Sequence, residues 1–482
     1  MSKSKKGLSL MLMLAMTVSL APRSSAAENG TGSISIPNRY DTPYSVDDDE
    51  IYIFAANYKP LEYSTNDDDH TGGDVVFNEI IGDKLREAFP GLKIKFGTWD
   101  YPVRYEDLDA AGIVPDIIID NPYNRIDRDF EHRGWVQDMT PMIEQSGLDL
   151  STLNQAAVEM VKSRSDGGIY GVPLFIDDYM LYYNKKIFDK FGEKYPTPGM
   201  TYDKIFKLAK KLTRQDGLDA YKGYMQHPDN YLQYNQLGLY PFQPTDSEEP
   251  APADVKVDIT SPEWNQLGEN IDRFLWLPRN GFTTVNDFLK GDMSRPGHVA
   301  MAVDTLQKLP AYVGDDLFIK DDDEASFHEY LNSIDVGVTS VPVLNTGSET
   351  TYQPNTMAAF IPPQARHQEK AIEIVKWLVS EEGQVELSRH AIKGVLETPA
   401  VVDSFGDDIP GLANVDTSGV YWGSNAVVQN YQNTEYWDIP MYSVFRQHVL
   451  KDAMSVEAAF TVSETVEIPN YIKSQAESGK DW

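Results

Sequence analysis

The sequence predicts an α/β fold built on a parallel sheet, and three observations carry that expectation. Short, wholly apolar runs recur along the chain, amphipathic helical stretches separate them, and Gly or Pro marks the junctions. In the first part of the chain they come in the order strand, helix, strand, strand, which is the alternation of a parallel sheet covered by helices.

The elements follow in order. Residues 51–56 form an apolar run that reads as a buried strand. Gly72 and Gly73 lead into a helix over 74–89, where Val75, Ile80, Ile81, Leu85 and Phe89 share one face. Pro90-Gly91 stops that helix, 92–96 alternates as a strand, and 116–119 supplies another. Residues 169–176 and 180–183 are extended. Thr201 caps a helix with Ile205, Leu208, Ala209 and Leu212 on one side. The stretch 241–253, rich in Pro, Asp and Glu, reads as a surface loop. Ser261-Pro262 opens a helix in which Trp264, Leu267, Ile271 and Phe274 recur at helical spacing. Two further strands are expected at 299–303 and 336–341, a helix at 369–387 and a closing helix at 456–471. There is no internal repeat.

Composition excludes several functions. The chain has 482 residues, 42 Lys and Arg against 74 Asp and Glu, and no cysteine. Without Cys there is no disulfide framework, thiolate metal site or cysteine nucleophile. The acidic excess argues against nucleic acid and anionic membranes, which basic patches bind. Lys3, Lys5 and Lys6, an apolar core over 8–20 and small residues at Ser24, Ala26 and Ala27 read as a signal peptide over 1–27. Losing its four positive charges (Lys3, Lys5, Lys6, Arg23) takes the net charge from −32 to −36. No later stretch approaches the roughly 20 apolar residues of a membrane span. The expectation is an exported, soluble protein.

Searches for catalytic motifs return nothing: no GxSxG elbow, HExxH, phosphate loop or dinucleotide fingerprint. The eight histidines show no pair at metal-ligand spacing. Acidic runs at 47–50, 67–69 and 321–324 lack the spaced ligands of an EF-hand loop and read as solvated loop charge, with a calcium site in one of them as the alternative.

The clearest signal is a series of phrases in a fixed order. Tyr170-Gly171-Val172-Pro173 runs into Tyr182-Tyr183-Asn184-Lys185-Lys186-Ile187-Phe188. Downstream come Pro198, Thr201-Tyr202-Asp203 and Ala209-Lys210-Lys211-Leu212-Thr213, then Gly297-His298-Val299-Ala300-Met301 and Asp335-Val336-Gly337-Val338 through Val341-Pro342. Ala371-Ile372 through Trp377-Leu378 and Ser380-Glu381-Glu382-Gly383-Gln384 close the series. This succession closely resembles the extracellular solute-binding proteins, family 1, of ABC importers, the sugar-binding group to which maltose-binding protein belongs. Two features depart from it. Leu20-Ala21 is followed by Pro22 where many relatives carry a lipid-bearing Cys, so the chain is not evidently lipid-anchored. Extra length also sits around 241–253 and 314–332.

The resemblance implies a two-lobed periplasmic-binding-protein-like fold, with three hinge crossovers near 172–176, 352–357 and 395–401 and a ligand cleft between the lobes. The first lobe would take 28–173 and 357–396, the second 174–356 and 397–482. It further implies a carbohydrate ligand, an oligosaccharide by expectation, capture by hinge closure, permease subunits as partners, a monomer, an extracellular or periplasmic home, no cofactor and no catalytic step.

Sugar sites need flat apolar faces for the ring and fixed polar groups for the hydroxyls. Loops at the carboxyl ends of strands are where the cleft should lie. They offer Asn57 and Tyr58 after the first strand, and Asp120, Asn121 and Tyr123 after 116–119. Asp177 and Asp178 follow the first crossover, and Asp304 and Gln307 follow 299–303. Trp422 and Trp437, with Tyr421 and Tyr436, lie in 419–440, where no periodicity explains the aromatics. Asn57, Asp120 and Asp177 have capping or turn formation as the alternative role. Trp264 and Trp377 are assigned to the core, and Trp99 and Trp135 to neither. Two other functions stay open. The acidic cleft candidates suit a cationic solute such as a polyamine, or a peptide; a secreted polysaccharide hydrolase would need two carboxyl groups facing each other about 5–10 Å apart.

Overall fold

The computed structural model describes residues 34–36, 44–56, 76–98, 104–122, 126–165, 167–243, 256–277, 297–314, 334–428 and 441–477. Eight strands carry the architecture: β1 (Glu50–Ala55), β2 (Lys93–Thr98), β3 (Ile117–Asp120), β4 (Val172–Ile176), β5 (Tyr179–Asn184), β6 (Met301–Thr305), β7 (Val336–Ser340) and β8 (Thr356–Phe360). They form two sheets. The first has the order β2-β1-β3-β8-β4, with β1 parallel to β2 and β3, and β8 antiparallel to β3 and β4. The second has the order β6-β5-β7, antiparallel throughout.

The apolar runs read as buried strands because both faces of the first sheet are covered. Along β1, Ile51, Ile53 and Ala55 join one core with Ile80, Leu85, Phe96 and Ile119. Tyr52 and Phe54 turn the other way, against Tyr105, Leu108, Phe130 and Trp135. In the second sheet Tyr179, Leu181 and Tyr183 face the helices Tyr202–Leu212 and Pro262–Leu275, while Met180 and Tyr182 face back into the first core. Trp264 is buried as expected, and Trp135 is too.

Thr201 caps Tyr202–Leu212 by accepting from Lys204 N, and Ser261 caps Pro262–Leu275 through Trp264 N. Several elements differ from expectation, and one is β8 itself, a full strand of the first sheet where only a crossover near 352–357 was expected. The helix ahead of β2 carries a π segment at Asn78–Gly82 before Asp83–Ala88. The single helix expected over 369–387 is two, Gln368–Leu378 and Glu381–Arg389, because Ser380 leaves the helical conformation and caps the second through Gly383 N. The expected loop after 241 begins as a strand, Phe242–Gln243 pairing with Lys256–Val257. Val456–Val462 continues through Ser463–Glu467 to Ile468–Glu477 as the closing helix. No helix among the described residues is long and apolar enough to cross a membrane.

Register places the functional edge. The carboxyl ends of β1, β3 and β4 and the amino end of β8 lie at one end of the first sheet, since Asp120 pairs with Ala358 and Ile176 with Thr356. In the second sheet, Thr305 pairs with Tyr179 and Ser340 with Met180. Only Asp177 and Asp178 separate β4 from β5, so the two sheet ends meet there.

Candidate functional site between the two sheets

Asp177 sits where the chain leaves the first sheet. Its N–H donates to Asn355 O (2.9 Å), its Oδ1 accepts from Gln307 N (2.8 Å), and its Oδ2 accepts from Gln307 Nε2 and, at 3.5 Å, from Asn355 Nδ2. Burial pushes this carboxyl up to about 7; the bonds from Gln307 oppose the shift, and the neighbouring Asp304 and Asp178 add to it. Asp178 faces the other way. It accepts from Lys393 Nζ and from Asn425 Nδ2, each at 2.7 Å. Asn425 Nδ2 also donates to Tyr352 O, and Asn154 Nδ2 to Asn425 Oδ1. Asp304 on β6 is satisfied by Thr305 N (2.8 Å) and Tyr312 Oη, and burial pushes it up to about 6.

At the first-sheet edge, Asp120 accepts from Tyr105 Oη and Asn121 N, each at 2.7 Å. Asn121 Nδ2 donates to Asn355 Oδ1 at 2.5 Å, and Tyr234 Oη reaches the same oxygen at 3.3 Å. One amide, Asn355, therefore ties β3, the Asp177 turn and Tyr234 together. The Tyr234 ring lies 5.2 Å from Tyr179, which is 5.9 Å from Tyr352. Tyr352 Oη bonds to Tyr202 and Gln226.

Trp422 lies half-buried over Gly199, whose φ is +71° and where a Cβ would come within 2.6 Å of Trp422 Cζ2. Gly199 N donates to Ser340 Oγ at the end of β7, which brings Trp422 to the second sheet's edge. Tyr421 instead turns to the first-sheet helices, beside Phe405 and Ser388, with Lys393 Nζ 5.5 Å from its ring. A cavity of about 400 Å³ flanks the turn, walled by Asn154, Gln155, Val395, Glu397, Ser424 and Asn425 among others.

The structure thus gathers Asp177, Asp178, Asp304 and Gln307 into one network and connects Asp120 to it through Asn121 and Asn355. Asn57, Tyr58, Tyr123 and Trp437 lie outside the described residues, as do the acidic runs 67–69 and 321–324. Within the run 47–50, Asp48 pairs with Arg366 and Asp49 with Lys93. No group of three or more His, Asp or Glu residues suited to a metal occurs among the described residues. Sequence reasoning missed Asn355, Tyr234, Lys393 and Asn425, which reach the Asp177–Asp178 turn from distant segments. Only Asn355, one residue past Pro354 in an expected crossover, had a signal that could have found it.

A family model for bacterial extracellular solute-binding proteins matches residues 81–408, about two thirds of the chain. The chain belongs to the bacterial extracellular solute-binding proteins. Membership makes it a binding protein of the cell exterior rather than an enzyme. Solved structures share its fold at low identity. An ABC substrate-binding protein from Listeria monocytogenes in complex with cycloalternan is 18% identical, with a TM-score of 0.59 over 89% of this chain and 99% of that one. A cyclic α-maltosyl-1,6-maltose binding protein from Arthrobacter globiformis is 15% identical, with a TM-score of 0.60 over 88% and 98%. A Mycobacterium tuberculosis protein in complex with glycerophosphocholine is 14% identical, with a TM-score of 0.56 over 89% and 98%. This solute-binding protein shares the two-lobed α/β fold of those structures.

Proposed function

We propose that the protein captures a neutral carbohydrate, an oligosaccharide, between its lobes and delivers it, as a monomer, to the permease of an ABC importer. One observation carries this reading. The cleft-edge carboxylates Asp120, Asp177, Asp178 and Asp304 are all occupied by protein donors. What surrounds them is amide and phenol: Asn121, Asn355, Gln307, Tyr234 and Tyr179. Such a surface matches hydroxyls and ring faces rather than net charge. On this reading Trp422 supplies a flat apolar face at the second sheet's edge, while Asp120 fixes Asn121 and Asp177 fixes Gln307. The relatives crystallised with cycloalternan and named for cyclic maltosyl-maltose agree with an oligosaccharide.

On this reading the hinge passages run through 177–178 and 353–355, within or beside the crossovers expected near 172–176 and 352–357. A third follows Pro399–Asp403, a helix that packs on Glu381–Arg389, and precedes Gly419, which packs against Thr339 and Ser340. The first lobe then holds the five-stranded sheet and the second the three-stranded one. Closure about these passages requires solute contacts made only in the closed state.

A thermal-shift panel of maltotetraose, cycloalternan, tagatose, ribitol, spermidine and glycerophosphocholine tests the reading. At least one sugar should raise the melting temperature in a concentration-dependent way. A shift by spermidine or glycerophosphocholine with none by any sugar overturns it. Asp178 already has its cation in Lys393 and offers no counter-charge to a polyamine, whereas Asp120, Asp177 and Asp304 are held by neutral amide, hydroxyl and backbone donors.

A further inference from the structure

Charge is spread unevenly over the helices that cover the second sheet. The chain as a whole carries −32, yet residues 185–222 hold ten Lys and Arg against five Asp and Glu. These residues fold into one patch. The helix Lys185–Phe191 leads to Tyr202–Leu212, and a hairpin of Arg214–Asp216 with Asp219–Tyr221 follows. Lys211 Nζ pairs with Glu193 at 2.7 Å and Lys190 Nζ with Asp216 at 2.8 Å, while the Arg214 guanidinium lies 4.2 Å from the Phe191 ring. The second helix and the hairpin are thus both tied to the end of the first.

Burial sets which way the lysines point. Tyr202, Ile205, Ala209 and Leu212 pack with Tyr179, Leu181 and Tyr183 of the second sheet. The helical repeat then turns Lys204, Lys207, Lys210 and Lys211 outward, and all four are exposed. Four of the five acids are already engaged: Glu193 and Asp216 by the lysines above, Asp203 by Arg273, and Asp189 by the Tyr195 hydroxyl. Lys194, Lys204, Lys207 and Lys210 form no ion pair among the described residues. The fifth acid, Asp219, follows Leu218, whose side chain is 83% exposed at the hairpin tip.

We propose that this face docks the protein on a bilayer rich in anionic phospholipid, with the lysines over the headgroups and Leu218 entering the interface. The acidity of the whole chain does not oppose this. Screening limits the reach of each charge to about 8 Å at physiological salt, so acids elsewhere on the molecule weigh little at this surface. Two features favour a membrane over a soluble polyanion. Nine of the ten bases are Lys, point charges suited to a diffuse charged plane, whereas fitted phosphate sites favour the planar fork of Arg. An exposed aliphatic tip gains nothing against a soluble polyanion but gains on leaving water for the acyl boundary. The patch covers the side of the second sheet turned away from Met180 and Tyr182 and the first core, so docking leaves the Asp177–Asn355 network uncovered. The assignment does not depend on which solute the protein takes.

Co-sedimentation of the mature chain, without residues 1–27, tests it on vesicles of equal parts phosphatidylglycerol and phosphatidylcholine and on vesicles of phosphatidylcholine alone. Wild type should bind the mixed vesicles at low salt, release them at high salt and ignore phosphatidylcholine. Lys204→Glu, Lys207→Glu and Lys210→Glu together should weaken binding about tenfold or more, and Leu218→Asp several-fold. A charge-matched triple on helices of the first core, Lys84→Glu, Lys162→Glu and Lys370→Glu, should bind as wild type does. Melting curves establish that both triples are folded. Wild type that ignores the mixed vesicles at low salt, or equal losses in the two triples, overturns the proposal whatever the variants' stability. If inorganic polyphosphate binds through the same lysines and the vesicles do not, the face belongs to a soluble polyanion and the membrane assignment fails.

Discussion

The two sheets were assembled from sequence in opposite ways. In the first, β1, β2 and β3 come from one stretch, Glu50 to Asp120, parallel and buried on both faces. In the second, β5, β6 and β7 are drawn from Tyr179 to Ser340, antiparallel, with long excursions between them. Where strands are parallel and close in sequence, the position of a polar residue at a carboxyl end is a local matter, and Asp120 sits where its strand order puts it. Where the sheet is built from distant pieces, the groups at its edge are held by partners no local rule supplies. Asp178 is the extreme case, held by Lys393 and Asn425, more than two hundred residues downstream.

The largest effect should come from breaking that long-range half. The Asp178 and Lys393 side chains are only 8% and 5% exposed. Lys393→Met would leave a buried carboxylate without its cation, a loss of about 3–5 kcal/mol in urea unfolding. Adding Asp178→Asn should restore much of it, since the uncompensated charge goes too. A single variant as stable as wild type would show that the network adapts and the contrast between the sheets is smaller than drawn.

Asn355 joins the two halves. It binds Asn121 of the first sheet's edge, Tyr234 beside Tyr179 of the second sheet and both the backbone and the carboxylate of Asp177. Asn355→Leu should cost about 1–3 kcal/mol by stranding buried polar partners. It should also weaken sugar binding several-fold. Stability lost with affinity unchanged would make Asn355 a clasp without a part in the cleft.

Asp177 at the turn and Asp304 on β6 give the molecule a pH signature. Asp177 titrates near 7 in the folded protein, above the unfolded carboxylate value of about 3.9, and Asp304 near 6. The folded state holds these protons more tightly than the unfolded chain. Their contribution is therefore fully present below about pH 4, is lost as pH rises towards 7, and stays lost above it. Asp177→Asn removes its share of that slope. The variant should gain on wild type by on the order of 2–4 °C in melting temperature between pH 4 and pH 8. Parallel melting curves across that range would place the Asp177 proton elsewhere.

Sequence alone made the strands of both sheets legible except β8 (Thr356–Phe360), along with the caps Thr201 and Ser261, the family, and the Asp177–Asp178 turn as a place where the site should lie. These features rest on periodicity, on turn chemistry, or on phrases short enough to be read in one window. It did not reveal that the carboxylates expected to meet solute are spent on holding the passages together. Nor did it reveal that Arg446 Nη1 lies 3.1 Å from Nε2 of His227, which read as one of eight scattered histidines. Both depend on pairing between segments far apart in the chain, and hydrophobic pattern says nothing about which buried amide or cation will face which acid. Tyr421 illustrates the same limit: it shares a loop with Trp422, yet its ring turns to Phe405 and Lys393 while Trp422 covers Gly199.

The smallest effect separates a local cap from one wired into the turn. Thr201 accepts from Lys204 N at 3.3 Å and Asn154 accepts from Ala157 N at 3.2 Å, so as helix caps they are equivalent. Removing either side chain should cost about 1 kcal/mol through the helix alone. Asn154 also donates to Asn425, the residue that holds Asp178, so Asn154→Ala removes a second bond that Thr201→Ala does not touch. The expected difference between the two variants is about 0.5–1.5 kcal/mol in urea unfolding, the worth of one hydrogen bond. In an Asn425→Ala background that difference should vanish. If it persists there, Asn154 stabilises its helix by some route other than the turn, and the long-range network ends at Asn425.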